Sequence, residues 1–330
     1  MIEDIVTIGV DLGGTKVRTA LVDPKGKILA THTYPTHPEK GPKSVINDII
    51  VCIKTCLNQH DRVKAHALGI GVAGQVDVNG VVQYSPNLNW QNINLKTRVE
   101  RQLELPTVVV NDVRAATWGE WCFGAGQNVT DLIVLFVGTG IGGGVVTDGR
   151  LLKGCNNSGG ELGHMTIIVN GQQCHCPNKG CLEAYAGGWA IAERAKETVR
   201  MNRKKGEGIT RQAGRLEDIT ATHVSLAYRE NDPLAYQLVD ETCMFISAGI
   251  VGMINAFNPC LFVLGGGVIE GLPIMISKIE QITRGRALNA AVENLRFVKA
   301  ALGSDAGVIG AAALAHVLNQ AEHPNRQGEY

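Results

Sequence analysis

The sequence lacks net charge: 31 Lys and Arg balance 31 Asp and Glu. That balance removes the electrostatic footprint of a nucleic-acid or anionic-membrane binder and leaves a small polar or anionic ligand open. No uncharged apolar run is read as long enough to cross a bilayer, and MIEDIVTIGV at the start has neither basic leader nor cleavage site. Low-complexity linkers and solenoid-period repeats are missing too. Aromatics are scarce, with six Phe, six Tyr and four Trp, whereas glycines number 40. So many glycines point to backbone that turns tightly or approaches a ligand closely. The remainder is ordinary globular material, 45% hydrophobic and 19% charged, and 330 residues suit two domains. The nine cysteines are an odd number; three crowd into residues 174–181 and six are scattered, a usage that fits a reducing cytoplasm.

Residues 5–10 read as a strand ending in Asp11-Leu12-Gly13-Gly14-Thr15, with further strands at 17–23 and 27–34. A helix follows at 44–57, then strands at 67–76 and at Val108-Val109-Val110, stopping at Asn111-Asp112. A helix is expected at about 113–123, and strands at 132–137 and 143–147 flank a glycine turn. Helices at 188–203 and 233–256, strands at 260–264 and 295–301 and an Ala-rich helix at 305–319 complete the chain. These elements give α/β class with a small lobe of residues 1–112 and 304–330, the last helix packing back onto it, and a large lobe of residues 113–303. The final ten residues are expected to fray. Both halves share a strand, glycine turn, strand plan.

Three glycine clusters, Gly13-Gly14, Gly138 to Gly144 and Gly265-Gly266-Gly267, each follow a β-rich run and can present backbone N–H groups to phosphate. Singly, each is equally well a tight turn. Gly138-x-Gly140-x-x-Gly143 formally matches a dinucleotide fingerprint, yet Val145-Val146-Thr147 reads as strand where that fingerprint needs a helix, so nicotinamide binding is excluded. Asp11 is placed to hold hydrated Mg2+ on phosphates, with Thr15 and Lys16 as donors, or to cap the turn.

Asn111-Asp112 puts a carboxylate at the carboxyl end of a strand, where open α/β sheets bind ligands and where an acid can accept a hydroxyl proton. A helix cap explains either residue as well, and spacing alone leaves the choice open. His164, Cys174, Cys176 and Cys181 match a closed tetrahedral zinc site, structural because four protein ligands leave no open position. His175 is a rival ligand. Glu161 and Glu183 flank this cluster; a metal-fixed loop would make them rigid acceptors for sugar hydroxyls, and surface glutamates are the plainer alternative.

With Gly160-Glu161-Leu162-Gly163-His164 and Cys174-x-Cys176-x4-Cys181-x-Glu183 added, these motifs stand in the order of the ROK family, which the chain resembles from about residue 5 to 317, most of all the bacterial glucokinases in it. The resemblance implies an actin-like, ribonuclease-H-like ATPase fold of two lobes with a central cleft, a cytoplasmic homodimer or higher homo-oligomer, and no nucleic-acid or membrane partner. It implies that ATP phosphorylates the 6-hydroxyl of a hexose, with Asp112 as base and Asp11 organising Mg2+. Gly74, Asn87, Asn111, Asp112, Glu161, His164 and Glu183 would hold the sugar. Gly13, Gly14, Thr15, Lys16, Gly138, Thr139, Gly140, Gly265, Gly266 and Gly267 would hold the nucleotide and its Mg2+. His164 would give one ring nitrogen to zinc and the other to the sugar.

Two positions depart from the pattern: Pro177 stands where glycine commonly follows the middle cysteine, and Gly187 where serine is usual, so a possible polar contact is missing. The family's N-acetylglucosamine, N-acetylmannosamine and fructose kinases are alternatives. Its sugar-responsive repressors are the alternative from another class. Those carry an amino-terminal helix-turn-helix, for which a first strand at residue 5 is expected to leave no room.

Overall fold

The computed structural model describes residues 4–60 and 63–322. Residues 1–3 lie outside it, as do residues 323–330 of the tail expected to fray. Strands β1 (Asp4–Leu12), β2 (Lys16–Val22) and β3 (Ile28–Pro35) precede helix α1 (Pro42–Leu57) and β4 (Val63–Val72). Next come β5 (Gln75–Val76), β6 (Val81–Ser85), β7 (Trp90–Asn94), α2 (Leu95–Leu103), β8 (Thr107–Asn111) and α3 (Asp112–Phe123). β9 (Leu132–Val137), β10 (Ile141–Thr147) and β11 (Arg150–Leu151) lead to α4 (Glu183–Ala186), α5 (Gly188–Met201), α6 (Glu207–Ala213), α7 (Ala221–Arg229) and α8 (Pro233–Phe257). β12 (Leu261–Gly265), α9 (Gly267–Gly271), α10 (Ile274–Arg284), α11 (Asn289–Val292), β13 (Arg296–Lys299) and α12 (Ala306–Glu322) follow.

The chain divides into two compact units: Met1–Asn128, Arg150–Gly160 and Ala301–Tyr330 in one, Val129–Gly149 and Glu161–Ala300 in the other. The first therefore ends at Asn128, not at residue 112, and it recovers residues 150–160 as well. Packing explains the shift. α3 lies along α12 with Gly119 against the Ala306 carbonyl and Gly310 against the Ala115 carbonyl, so α3 belongs with the unit that α12 covers. Arg114 of α3, 2% exposed, donates from Nη1 to the Asn157 carbonyl at 2.6 Å and to Asn157 Oδ1 at 2.8 Å. Asn157 in turn donates to the Val76 carbonyl at 3.0 Å, which pins residues 150–160 to the first unit.

In the first unit the sheet order is β3-β2-β1-β4-β8, with β1, β4 and β8 parallel and the β1–β2–β3 meander antiparallel. One face receives α1, whose Val45, Ile46, Ile49, Ile50 and Ile53 recur at helical spacing and are buried against Val6, Ile8, Val10 and Leu21. The opposite face receives α12 at very short range. Gly9 and Gly69 are register partners on β1 and β4, and a Cβ on either would collide with the backbone of α12. Part of the glycine excess thus serves close helix-on-sheet packing rather than ligand binding.

The second unit repeats the plan: β9 pairs antiparallel with β10 and parallel with β12, which pairs parallel with β13. Its long helix α8 has clear start and stop signals. Asp232 accepts from Ala235 N at 2.9 Å as N-cap, Pro233 takes the first helical position, and Asn258 turns left-handed at φ 46° before Pro259. Contrary to the sequence expectation, α8 is long and apolar enough to cross a bilayer, with mean hydropathy 1.3. More than half of that stretch is buried inside the unit, because Leu238, Thr242, Ile246, Ile250 and Met253 face the core.

Candidate functional site

In the first unit the candidate residues collect where the three parallel strands end. Asp11 sits at the end of β1 in register with Gly71, and Asn111 closes β8 opposite Val72. Of the two explanations left open for the Asn-Asp pair, the helix cap falls to Asn111. Asn111 caps α3, accepting from Arg114 N at 3.0 Å, and its Nδ2 donates to the Gly74 carbonyl at 3.1 Å. Asp112 is thereby the first helical residue, half-buried, with Oδ1 2.9 Å from Val113 N, in a helical turn that suits negative charge. Ser85 Oγ donates to the Ala73 carbonyl at 2.6 Å and holds the Ala73-Gly74 turn against β6. Asn87 lies on the following 3-10 turn, Pro86–Leu88, where a Cβ on Gly14 would meet its carbonyl oxygen at 2.5 Å.

Asp11, Gly13, Gly14, Gly74, Asn87, Asn111 and Asp112 are therefore threaded together by short contacts and strand register within one unit. Gly13 N donates to the Lys16 carbonyl at 3.0 Å, closing the β1–β2 turn, while Thr15 and Lys16 are exposed at its tip. Burial raises the Asp11 carboxyl above its ordinary value; Arg18 and Lys16 pull it the other way. The first turn of α12 approaches Asp11 closely, since a Cβ on Gly307 would lie 3.2 Å from its Cγ.

In the second unit, two of the three glycine clusters meet. Gly138 N donates to the Gly140 carbonyl at 2.9 Å, and the start of α5 reads the same turn: Gly188 N donates to the Gly138 carbonyl at 2.9 Å and Trp189 N to the Thr139 carbonyl at 3.0 Å. Gly266, at φ +87°, lies against Val137, whose carbonyl would be 2.5 Å from an added Cβ, so only glycine fits. After Gly140 the chain enters β10, as required by the exclusion of a dinucleotide fingerprint. Beside these turns opens a cavity of about 770 Å³, lined among others by Thr139, Trp189, Lys196, Thr220, Arg229 and Gly267. Its volume is that of a small-molecule or cofactor site.

His164, Cys174, Cys176 and Cys181 converge, with one ligand atom of each within 4.8 Å of the others. Cys176 Sγ and Cys181 Sγ are 3.6 Å apart, and Cys174 Sγ is 3.7 Å from His164 Nδ1. A tetrahedron with Zn–S bonds of about 2.3 Å has edges of about 3.8 Å, so the donor set and its spacing fit zinc. Burial pushes the Cys174 thiol up to about 12 and Cys181 upward as well, so a cation is needed to make them thiolates. The rival His175 is turned away: its ring stacks on Trp189, centroids 4.1 Å apart at 24°.

Glu183 begins α4. Its Oε2 accepts from Ile141 N at 2.7 Å and packs where Gly140 has no side chain, while Oε1 lies 4.0 Å from Cys174 Sγ. Glu183 is thus fixed between the thiol loop and the β9–β10 turn. Glu161, by contrast, is exposed and its backbone carbonyl accepts from His164 N at 3.1 Å. Gly187 has a local reason to lack a side chain, because a Cβ there would meet the Glu183 carbonyl at 2.9 Å. Pro177 is exposed and displaces no ligand atom.

Sequence reasoning overlooked Glu120, Arg114 and Trp189. Glu120 is fully buried on α3: Oε2 accepts from Ala125 N at 2.9 Å and Ala301 N at 3.0 Å, and Oε1 from Leu302 N at 2.8 Å. A lone glutamate among Thr117, Trp118 and Gly119 on the core face of a helix was the available signal.

The ROK family profile matches residues 7–317. A glucokinase of Streptomyces coelicolor is 34% identical over 313 residues, 94% of this chain and 97% of that protein. The crystal structure of a ROK family glucokinase from Streptomyces griseus in complex with glucose and AMPPNP superposes with a TM-score of 0.83 at 34% identity, covering 94% of this chain and 99% of that one. The xylose repressor of Bacillus spizizenii is 27% identical over 311 residues, 93% of this chain and 76% of that protein.

Proposed function

The chain belongs to the ROK family, and we propose that it is an ATP-dependent glucokinase. The observation that carries this reading is the 34% identity, over nearly all of both chains, to a glucokinase that holds glucose and AMPPNP. The fold class agrees, a two-lobe α/β ATPase fold of the actin-like type.

In this reading Asp112 accepts the proton of the glucose 6-hydroxyl as that oxygen attacks the γ-phosphorus of ATP. The bond from the γ-phosphorus to the β-γ bridging oxygen breaks, ADP leaves, and glucose 6-phosphate forms. Asn111, spent on capping α3 and tethering Gly74, fixes the backbone around Asp112 and the glucose hydroxyls it contacts. Gly74, Asn87, Glu161, His164 and Glu183 supply further acceptors and donors for those hydroxyls. In the second unit the turns at Gly138 to Gly140 and Gly265 to Gly267 bind the nucleotide, with its nucleoside in the 770 Å³ cavity beside them; the part of Gly13 to Lys16 is carried over from the family resemblance. Asp11 would hold magnesium, which would supply charge neutralisation on the phosphates. Zinc, when bound by His164, Cys174, Cys176 and Cys181, supplies rigidity to the loop that carries Glu183, and the close fit of the four donor atoms supports it.

The cytoplasmic location rests on the cysteine usage of the sequence, three clustered at 174–181 and six scattered. The homodimer is carried over from the family resemblance alone. A sugar-sensing regulator is the second reading, favoured by the similarity to the xylose repressor. Mg2+-dependent ADP release and sugar binding, measured side by side with glucose, fructose, N-acetylglucosamine and N-acetylmannosamine, test the kinase reading against the regulator. Preference for glucose supports the glucokinase; preference for an acetamido sugar or fructose moves the substrate; sugar binding without ADP release favours the regulator.

A further inference from the structure

We infer that Trp189 positions the nucleotide, and that His175 stacked on its indole makes nucleotide affinity depend on the metal loop; the inference rests on the kinase reading above. Trp189 belongs to two structures at once. The residue is part of the lining of the 770 Å³ cavity, and its backbone N–H donates to the Thr139 carbonyl of the candidate phosphate turn at 3.0 Å. Its side chain packs on the apolar cluster formed by Cys174, Cys181, Ala184 and Tyr185, which also receives Cys176. Three of the four candidate zinc ligands therefore share one packing unit with a wall of the cavity. His175, between Cys174 and Cys176, completes the link by stacking on the indole at 4.1 Å. Neither neighbour of His175 can move as a ligand without carrying that ring with it. The indole Nε1–H is enclosed and has no hydrogen-bond partner among the described residues, so ring packing is what fixes the side chain there.

A wall held in this way is ordered before the nucleotide arrives, which lowers the ordering cost of binding. If the loop loosens, the indole loses its stacking partner and the nucleotide must order the wall itself. Linkage makes the effect reciprocal, so bound nucleotide tightens metal binding by the same factor.

The test compares the zinc-loaded full chain with zinc-loaded His175→Ala, an exposed side chain whose removal touches no candidate ligand atom. Metal analysis should give equal zinc in both, while calorimetric titration should give ADP binding about 3- to 10-fold weaker in the variant, the size of a lost ring stack. Glucose affinity should stay within about twofold. ADP should also raise zinc affinity, read at equilibrium by competition with a chelator, in the parent more than in His175→Ala. Equal ADP affinity with equal zinc content, or a zinc affinity indifferent to ADP in the parent, would overturn the inference and leave the kinase reading standing. A parent that holds no zinc or binds no ADP would overturn that reading and the inference with it.

Discussion

The two units are built on one plan and carry different chemistry. In each, an antiparallel hairpin opens the sheet and a parallel strand returns beside it: β1–β2 with β4 in the first, β9–β10 with β12 in the second. Each hairpin turn is glycine-rich and stands at the carboxyl end of parallel strands, where α/β sheets bind ligands. The first unit surrounds its turn with an amide and two carboxylates, Asn111, Asp112 and Asp11. The second surrounds its turn with a large cavity and a cluster of soft ligands. The lesson is that the repeated plan provides the turns, and segments inserted between the shared strands provide the specificity. β5 to β7 come between β4 and β8, and the thiol loop between β10 and β12.

That contrast can be broken one unit at a time. The largest effect belongs to Asp112→Asn in the first unit. It should lower kcat by about a thousandfold or more, by removing the general base, with glucose affinity changed only a few-fold. Retained turnover would remove Asp112 from the role of base. Next is Cys176→Ser in the second unit, which should release zinc and lower Tm by about 5–10 °C as the loop carrying Glu183 loosens. Metal content and a thermal melt together read this out, and an unchanged metal content would contradict it.

A smaller effect is expected from Glu120→Gln. An amide cannot accept from Ala125, Ala301 and Leu302 as the carboxylate does, and one N–H is left facing another donor. Tm should fall by about 5 °C, the cost of one or two unsatisfied buried groups. The smallest concerns Asp11. Its folded carboxyl is raised by burial, so folding favours the protonated form; that contribution is present below about pH 4 and lost as pH rises through the folded value. Asp11→Asn should therefore raise Tm at pH 7 by ~1–2 °C while abolishing the Mg2+ dependence of nucleotide binding. A fall in Tm at that pH would show that Arg18 and Lys16 outweigh burial.

Much of this was legible in the sequence, for identifiable reasons. The strands of both sheets are runs of buried Val, Ile and Leu between glycine turns, and the thiol spacing is unusual enough to mark a cluster without coordinates. Asn111 and Asp112 could be found but not separated, since the cap and the first helical residue differ only in hydrogen-bond geometry. The unit boundary was missed because a buried Arg114 and the Gly119–Gly310 contact join segments far apart in the chain. Trp189 was missed for a similar reason: a single aromatic at the start of a helix gives no local sign that His175 lies on it. The bilayer expectation failed at α8 because a core helix and a spanning helix share composition and differ in what surrounds them.

The most direct test of the central claim is phosphorus NMR of the zinc-loaded full chain with Mg2+, ATP and glucose, following every phosphorus-containing product. The account predicts glucose 6-phosphate and ADP in equal amounts, with neither formed at a comparable rate by Asp112→Asn. Inorganic phosphate in place of the sugar phosphate, or intact ATP beside bound glucose, would contradict it.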